Sequence, residues 1–296
     1  MLMTTQAVTT ISQLREAVRS FRAANPGQQV GFVPTMGYLH EGHASLIERA
    51  RRENGLVVLS IFVNPLQFGP NEDFDKYPRD PERDLRIAAA AGADLVFLPE
   101  VAEMYPQPTK TTVSVRDVSS GLCGASRPGH FDGVSTVVTK LFNMVQPDKA
   151  YFGLKDAQQV AVIEQMTADL NIPVQIVRCP TMRETDGLAK SSRNVYLSPE
   201  ERKQAIVLNE ALAAAERAIQ EGPVTTSQLD ALLRTRIQTA PLAEIDYAEI
   251  VWYPSIEPVE LSSREAAGRE VLLALAVKFG RTRLIDNRIV TIPTRQ

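Results

Sequence analysis

The feature that most limits the fold of this chain is an alternation. Through the first two-thirds, short β-rich runs are separated one at a time by stretches with helical spacing of apolar residues. Parallel strands cannot be joined by tight turns and need a crossover, which a helix supplies, so the alternation predicts a parallel sheet covered by helices. Strands are predicted at 29–33, 56–63, 93–98, 111–115, 150–152 and 174–179, with helices at 11–24, 43–53, 80–91, 134–145 and 156–170. This is the organisation of a Rossmann-like α/β domain.

The pattern breaks into a polar stretch near 180–194 and resumes at Ser198-Pro199-Glu200-Glu201, where serine can cap a helix that starts on proline. We therefore expect domains at 1–185 and 186–296, the second a smaller α+β lid. Its expected elements are helices at 199–221 and 227–239 and strands at 245–252 and 271–277. No repeat of solenoid length and no low-complexity segment occurs. A chain of 296 residues with 44% apolar and 23% charged residues can bury two cores of that kind.

Charge and cysteine content narrow the function. A net charge of -3 gives no global attraction to nucleic acid or to an anionic membrane, so any phosphate site must be local. Cys123 and Cys179 stand alone, without metal-ligand spacing, which points to a reducing compartment and no zinc site. Met1-Leu2-Met3-Thr4-Thr5 lacks a basic region followed by an apolar stretch, and no apolar run reaches about 18 residues. The expected location is the cytoplasm.

Five segments carry the candidate chemistry. In Pro34-Thr35-Met36-Gly37-Tyr38-Leu39-His40-Glu41-Gly42-His43, two of the three histidines fall where a strand gives way to a helix. Free N–H groups at a helix start meet phosphate oxygens, and imidazoles add donors as charge develops at phosphorus. Plain loop histidines are the bland alternative, and a metal pair is a weaker one, since no third ligand follows at a suitable spacing.

Gly187-Leu188-Ala189-Lys190-Ser191-Ser192-Arg193-Asn194 places two cations around two hydroxyls, a phosphate cradle or else a solvated interdomain loop. Tyr151-Phe152-Gly153-Leu154-Lys155-Asp156-Ala157-Gln158-Gln159 again joins a strand to a helix. There Lys155 suits phosphate, Asp156 a ribose hydroxyl and Gln159 a pocket one turn on, against simple capping by Asp156. In Phe62-Val63-Asn64-Pro65-Leu66-Gln67-Phe68, Gln67 offers a donor and an acceptor to a small polar substrate, while the two phenylalanines read as core. In Arg127-Pro128-Gly129-His130-Phe131-Asp132-Gly133, Arg127 suits a carboxylate and His130 is equally well a satisfied loop residue.

Taken in order, the five segments resemble the pantoate:β-alanine ligase family of the nucleotidyltransferase superfamily. Pro34 to His43 is similar to that family's version of the HxGH signature, and Lys190-Ser191-Ser192-Arg193-Asn194 holds the place of its KMSKS-like signature. The resemblance implies a Rossmann domain, a smaller C-terminal lid and a homodimer. It implies an ATP-dependent reaction in two steps: pantoate is activated as pantoyl-adenylate with release of pyrophosphate, and β-alanine then displaces AMP. Mg²⁺ would accompany ATP, held chiefly by its phosphates; no protein metal site is expected.

By the same resemblance, His40, His43, Lys155 and Arg193 would be catalytic, with His43 described as a proton donor. ATP contacts would come from Met36, Gly37, Tyr38, Leu39, His40, Glu41, Gly42 and His43, from Gly153, Leu154, Lys155 and Asp156, and from Met182, Lys190, Ser191, Ser192 and Arg193. Gln67 and Gln159 would hold pantoate, with Asn64, Arg127 and His130 in the substrate set. Two rivals share this type of site: a transferase that keeps the nucleotide in its product, and a non-catalytic nucleotide-binding regulator.

Overall fold

The computed structural model describes residues 5–69, 74–261 and 267–294; residues 1–4, at the start that was read for a leader, lie outside these. By its contacts the chain divides into two compact units. One comprises Met1–Val115, Ser126–Gly153 and Val162–Pro180, the other Arg116–Ala125, Leu154–Ala161 and Thr181–Gln296.

The first unit is built on six strands, β1 (Gln6–Val8), β2 (Val30–Thr35), β3 (Leu56–Ile61), β4 (Leu95–Phe97), β5 (Lys149–Gly153) and β6 (Gln175–Cys179). Their order across the sheet is β1-β4-β3-β2-β5-β6, and every pair is parallel. The run Leu56-Val57-Val58-Leu59-Ser60 of β3 is buried throughout, as expected for a strand covered on both faces. Each fully buried Val or Leu contributes about 1.5–3 kcal/mol.

The helices of the chain up to this sheet's last strand are α1 (Ile11–Ala24), α2 (Glu41–Glu53), α3 (Pro81–Ala91), the short α4 (Val101–Met104) and α5 (Leu122–Ser126), α6 (His130–Val145) and α7 (Ala157–Asp169). Thr10 and Gln13 close a reciprocal cap on α1, and Gly92 in the left-handed region ends α3. Strand β2 lies between β3 and β5, so the strand order reverses beside it. In open parallel sheets, ligands settle beyond the carboxyl ends of strands at such a reversal.

The second unit holds a three-stranded antiparallel sheet, β7 (Ala243–Trp252), β8 (Glu270–Phe279) and β9 (Thr282–Thr291). Of its helices α8 (Pro199–Gln204), α9 (Val207–Glu221) and α10 (Thr226–Ile237), the last two share one core with the sheet, including Leu208, Leu212, Leu233, Leu273, Leu275 and Phe279. Among the described residues no helix is long and apolar enough to cross a membrane.

Two sequence expectations need correction, and two strands lie where none is expected. Residues 111–115 form no strand; Thr111 to Ser114 are largely exposed and the Val113 N–H is donated to the Thr136 hydroxyl, so the β-branched residues have no strand to pair with. The helix expected over 199–221 is interrupted at Ala205 and Ile206, where Leu208 N–H reaches Ala205 O one residue early and tightens the turn. Strands β1 and β9 went unpredicted: β1 has only three residues to show a pattern, and β9 carries Asp286-Asn287, a pair that reads as a turn.

Candidate active site

In the first unit the chain leaves β2 at Thr35 and must turn sharply before α2. Gly37 has φ +84, and a Cβ there would lie 2.8 Å from Ile61 and 2.9 Å from an Asp84 carboxylate oxygen, so only glycine fits. Asp84, on α3 and 1% exposed, accepts the next two backbone N–H groups, from Tyr38 at 2.8 Å and Leu39 at 2.7 Å. The Arg83 guanidinium lies over the Tyr38 ring at 5.0 Å. The turn is thus held by a buried carboxylate and a stacked cation.

His40 caps α2, its Nδ1 accepting the Gly42 N–H at 3.1 Å, while His43 Nδ1 accepts the His40 N–H at 3.2 Å. A backbone N–H can only donate, so both Nδ1 atoms are acceptors and each neutral ring carries its proton on Nε2. The two rings sit 4.1 Å apart. The result is a pair of matched Nε2–H donors at a helix N-terminus, an arrangement suited to phosphoryl oxygens.

Beyond β3, Asn64 caps a single 3₁₀ turn, Pro65–Gln67. Asn64 is 1% exposed and wholly engaged: its amide donates to Gln67 Oε1 and Gly133 O, and its oxygen accepts from Tyr105 Oη and Leu66 N. Burial pushes the Tyr105 phenol up, which keeps it a donor. Gln67, 8% exposed, turns its Nε2 to Met36 Sδ at 3.1 Å, joining this turn to the first signature segment. His130 Nδ1 donates to Gln67 O at 2.9 Å, leaving Nε2 to accept from Arg127 at 3.1 Å. The structure therefore gathers Met36, Asn64, Gln67, Arg127 and His130 into one network.

Closeness is enforced by Gly133 on α6. A Cβ there would stand 2.3 Å from Leu66 O and 2.6 Å from Gln67 N. Any side chain would lift the helix from the Gln67 turn.

In the second unit, Leu154–Asp156 forms a 3₁₀ turn with Lys155 Nζ 4.0 Å from Asp156. Gln159 is half-buried on the first turn of α7. Asn287 on β9 donates to Leu154 O at 2.9 Å and to Lys155 O at 2.8 Å, holding that turn. Arg183 and Ala189 pair across a tight bend at Gly187, φ +95, and Lys190 N–H returns to Met182 O. Asp286 takes Arg183 in a two-pronged ion pair at 2.7 and 2.9 Å. From this bend the chain runs into Ser191, which caps the turn Ser192–Tyr196 by accepting the Arg193 N–H. Lys190 faces Glu184 at 3.6 Å, and the Arg193 side chain is exposed.

Sequence reading did not single out Asp84, Tyr105 or Asn287. Asp84 lies in the first turn of α3, where an acid is commonplace, and Asn287 lies inside an unpredicted strand.

A sequence profile of pantoate–β-alanine ligase matches residues 6–289. The chain belongs to the pantoate–β-alanine ligase family. Pantothenate synthetase of Acetivibrio thermocellus is 57% identical over 287 residues, 97% of this chain and 100% of that protein. The crystal structure of pantothenate synthetase from Thermus thermophilus matches with a TM-score of 0.86 at 49% identity, covering 96% of this chain and 98% of that one. Pantoate–β-alanine ligase from Francisella tularensis, solved in complex with β-γ ATP and β-alanine, matches with a TM-score of 0.75 at 33% identity over 96% and 97%. The expected α/β architecture is the fold of this ligase family, and the chain's reaction is the ligation of pantoate to β-alanine to give pantothenate.

Proposed function

We propose that the ligase works through ATP in two half-reactions, with the residue roles expected from the sequence. A pantoate carboxylate oxygen attacks the α-phosphorus of ATP; that P–O bond forms as the bond to the β-phosphate breaks, giving pantoyl-adenylate and pyrophosphate. The neutral amine of β-alanine then attacks the acyl carbon, loses a proton and expels AMP. A bare carboxylate resists an amine, so activation must come first, and the protein's work is alignment and charge stabilisation.

The observation that carries this reading is the matched pair of Nε2–H donors of His40 and His43 at the start of α2, the helix that follows the sheet's reversal strand. Such donors stabilise charge growing on phosphoryl oxygens without reorganising. Arg193 and Lys155 supply positive charge to the triphosphate, with Ser191, Ser192, Lys190 and Met182 lining the same nucleotide. Glu41, Gly42 and Met36 to Leu39 meet it through the first signature, and Gly153, Leu154 and Asp156 its ribose end. Gln67 and Gln159 bind pantoate, Asn64 acts by holding Gln67, and Arg127 with His130 serve β-alanine.

ATP fits the donor set, and the Francisella relative is a complex with β-γ ATP and β-alanine. Mg²⁺ would supply further neutralisation of the phosphates and would be held chiefly by their oxygens. We further infer a homodimer acting in the cytoplasm, which sedimentation equilibrium and cell fractionation test directly.

The decisive experiment is isotope exchange between pyrophosphate and ATP without β-alanine. Exchange should require pantoate alone; its absence in an enzyme with full ligase activity would overturn the adenylate route. His43→Ala and Lys155→Ala should each slow single-turnover adenylate formation at least about tenfold, the factor for losing about 1.4 kcal/mol of transition-state stabilisation.

A further inference from the structure

We propose that the consecutive pair Asp286 and Asn287 on β9 are positioning residues that hold both cation-bearing segments of the second unit in register. Successive side chains on a strand point to opposite faces, and these two use both faces at one place. On one face Asp286, 2% exposed, clamps Arg183 in the bend that leads directly to Lys190, Ser191, Ser192 and Arg193. On the other face Asn287, 8% exposed, spends both amide hydrogens on Leu154 O and Lys155 O. Asn287 N–H is in turn donated to Asp286 Oδ1 at 2.8 Å, which ties the two anchors together.

The chemistry of each anchor is specific. Two carbonyl oxygens converging on one side chain require two hydrogens from it, which an amide provides and a carboxylate, acceptor-only when ionised, does not. A carboxylate takes the guanidinium fork in two parallel bonds, which fixes orientation as well as distance. The strand holding both is the edge of a sheet, paired along its length to β8 from Glu270↔Thr291 to Phe279↔Thr282. A rigid strand thus sets where two otherwise loop-borne cations stand, and a displacement of about 1 Å at such groups costs on the order of a hundredfold in rate.

The inference rests on the reading that Lys155 and Arg193 serve the triphosphate, and a double-mutant cycle separates the two. Single-turnover adenylate formation is measured for Asn287→Ala, Lys155→Ala and the double variant, with Asn287→Asp as a volume-conserving partner. Asn287→Ala and Asn287→Asp should lower the rate constant at least about tenfold, with little change in the pantoate KM and a melting temperature that keeps the protein folded. In the Lys155→Ala background the cost of Asn287→Ala should shrink to less than about threefold, because the group it positions is gone. An equal cost in both backgrounds overturns the positioning role while leaving the Lys155 assignment intact. A Lys155→Ala enzyme as fast as wild type overturns the assignment itself. Failure of both Asn287 variants to fold would make Asn287 a folding residue and would also overturn the proposal. The parallel cycle of Asp286→Asn with Arg193→Ala tests the other face by the same criterion, read in the KM for ATP.

Discussion

The site residues of the two units are held in different ways. In the first, the side chains at the centre of the site are fixed by backbone or by neighbouring side chains: His40 and His43 by N–H groups at the start of their own helix, Gln67 by Asn64 and Met36, His130 by Gln67 O. In the second, Asp286 and Asn287 anchor the chain; Lys155 and Lys190 are largely covered and face Asp156 and Glu184, while Met182, at 41% exposure, and Arg193 stand open. A neutral, shaped recognition site gains from rigidity, because its donors and acceptors must match a small substrate atom by atom. A polyphosphate is met by charge, which acts over longer distance, so there it is the backbone bearing the cations that must be held in place. The contrast predicts where a substitution will harm folding and where it will harm only binding.

The largest effect should follow Gly133→Ala. Its Cβ meets backbone, not a flexible side-chain end, so the α6 helix or the Gln67 turn must move. We expect about 3 kcal/mol of destabilisation, the upper range for overpacking, with loss of pantoate affinity. Urea denaturation and pantoate titration check both; an unchanged midpoint would show that the first unit is less tightly built than its geometry implies.

Next is Asp84→Asn, which keeps volume but turns an N–H donor toward either Tyr38 N or Leu39 N. Losing one charged, buried hydrogen bond costs about 2 kcal/mol. The melting temperature and the adenylation rate should fall together, since the same turn carries the signature histidines. A variant stable as wild type yet slow would move Asp84 from holding the turn to direct chemistry.

These two residues also show what could be read from the sequence and what could not. The segments bearing His40, Gln67 and Lys155 stand out in the sequence because their glycines, cations and amides follow strands in order, and the Arg193 segment because two cations flank two hydroxyls. Asp84, Tyr105 and Asn287 act through tertiary contacts at separations of 45, 41 and 133 residues, for which local pattern carries no signal. For the fold, α1 was legible to its last residue because a capping box and an apolar stripe agree. Strand β9 was hidden by the very Asp286-Asn287 pair that gives it a role, and 111–115 shows that β-branched residues make a strand only with a neighbour to pair with.

Arg193→Ala should be milder and different in kind. Its exposed side chain leaves folding untouched, while the KM for ATP rises about tenfold, an effect of about 1.4 kcal/mol that weakens as salt is added. Initial-rate kinetics at two ionic strengths decide this. A fall in melting temperature would place Arg193 with the rigid set.

The smallest effect belongs to the far end of α2. Glu53 there accepts from Arg49 and Tyr151 and faces Lys149, tying α2 to β5. Burial opposes its ionisation, but the hydrogen bonds from Arg49 and Tyr151 and the charges of Arg49 and Lys149 outweigh it and hold the carboxyl below its usual range. A depressed carboxyl pKa adds stability that is present above the unfolded value and lost as pH falls through the folded one. Glu53→Gln should therefore cost up to about 1 kcal/mol near neutral pH, and the difference from wild type should vanish well below pH ~4. Adenylation should not change, because His40 and His43 are held at the opposite end of the helix by their own backbone. Denaturant midpoints at the two pH values test the sign, and a slower adenylation rate in this variant would mean that the rigidity of the first unit is shared along α2 rather than set locally at its start.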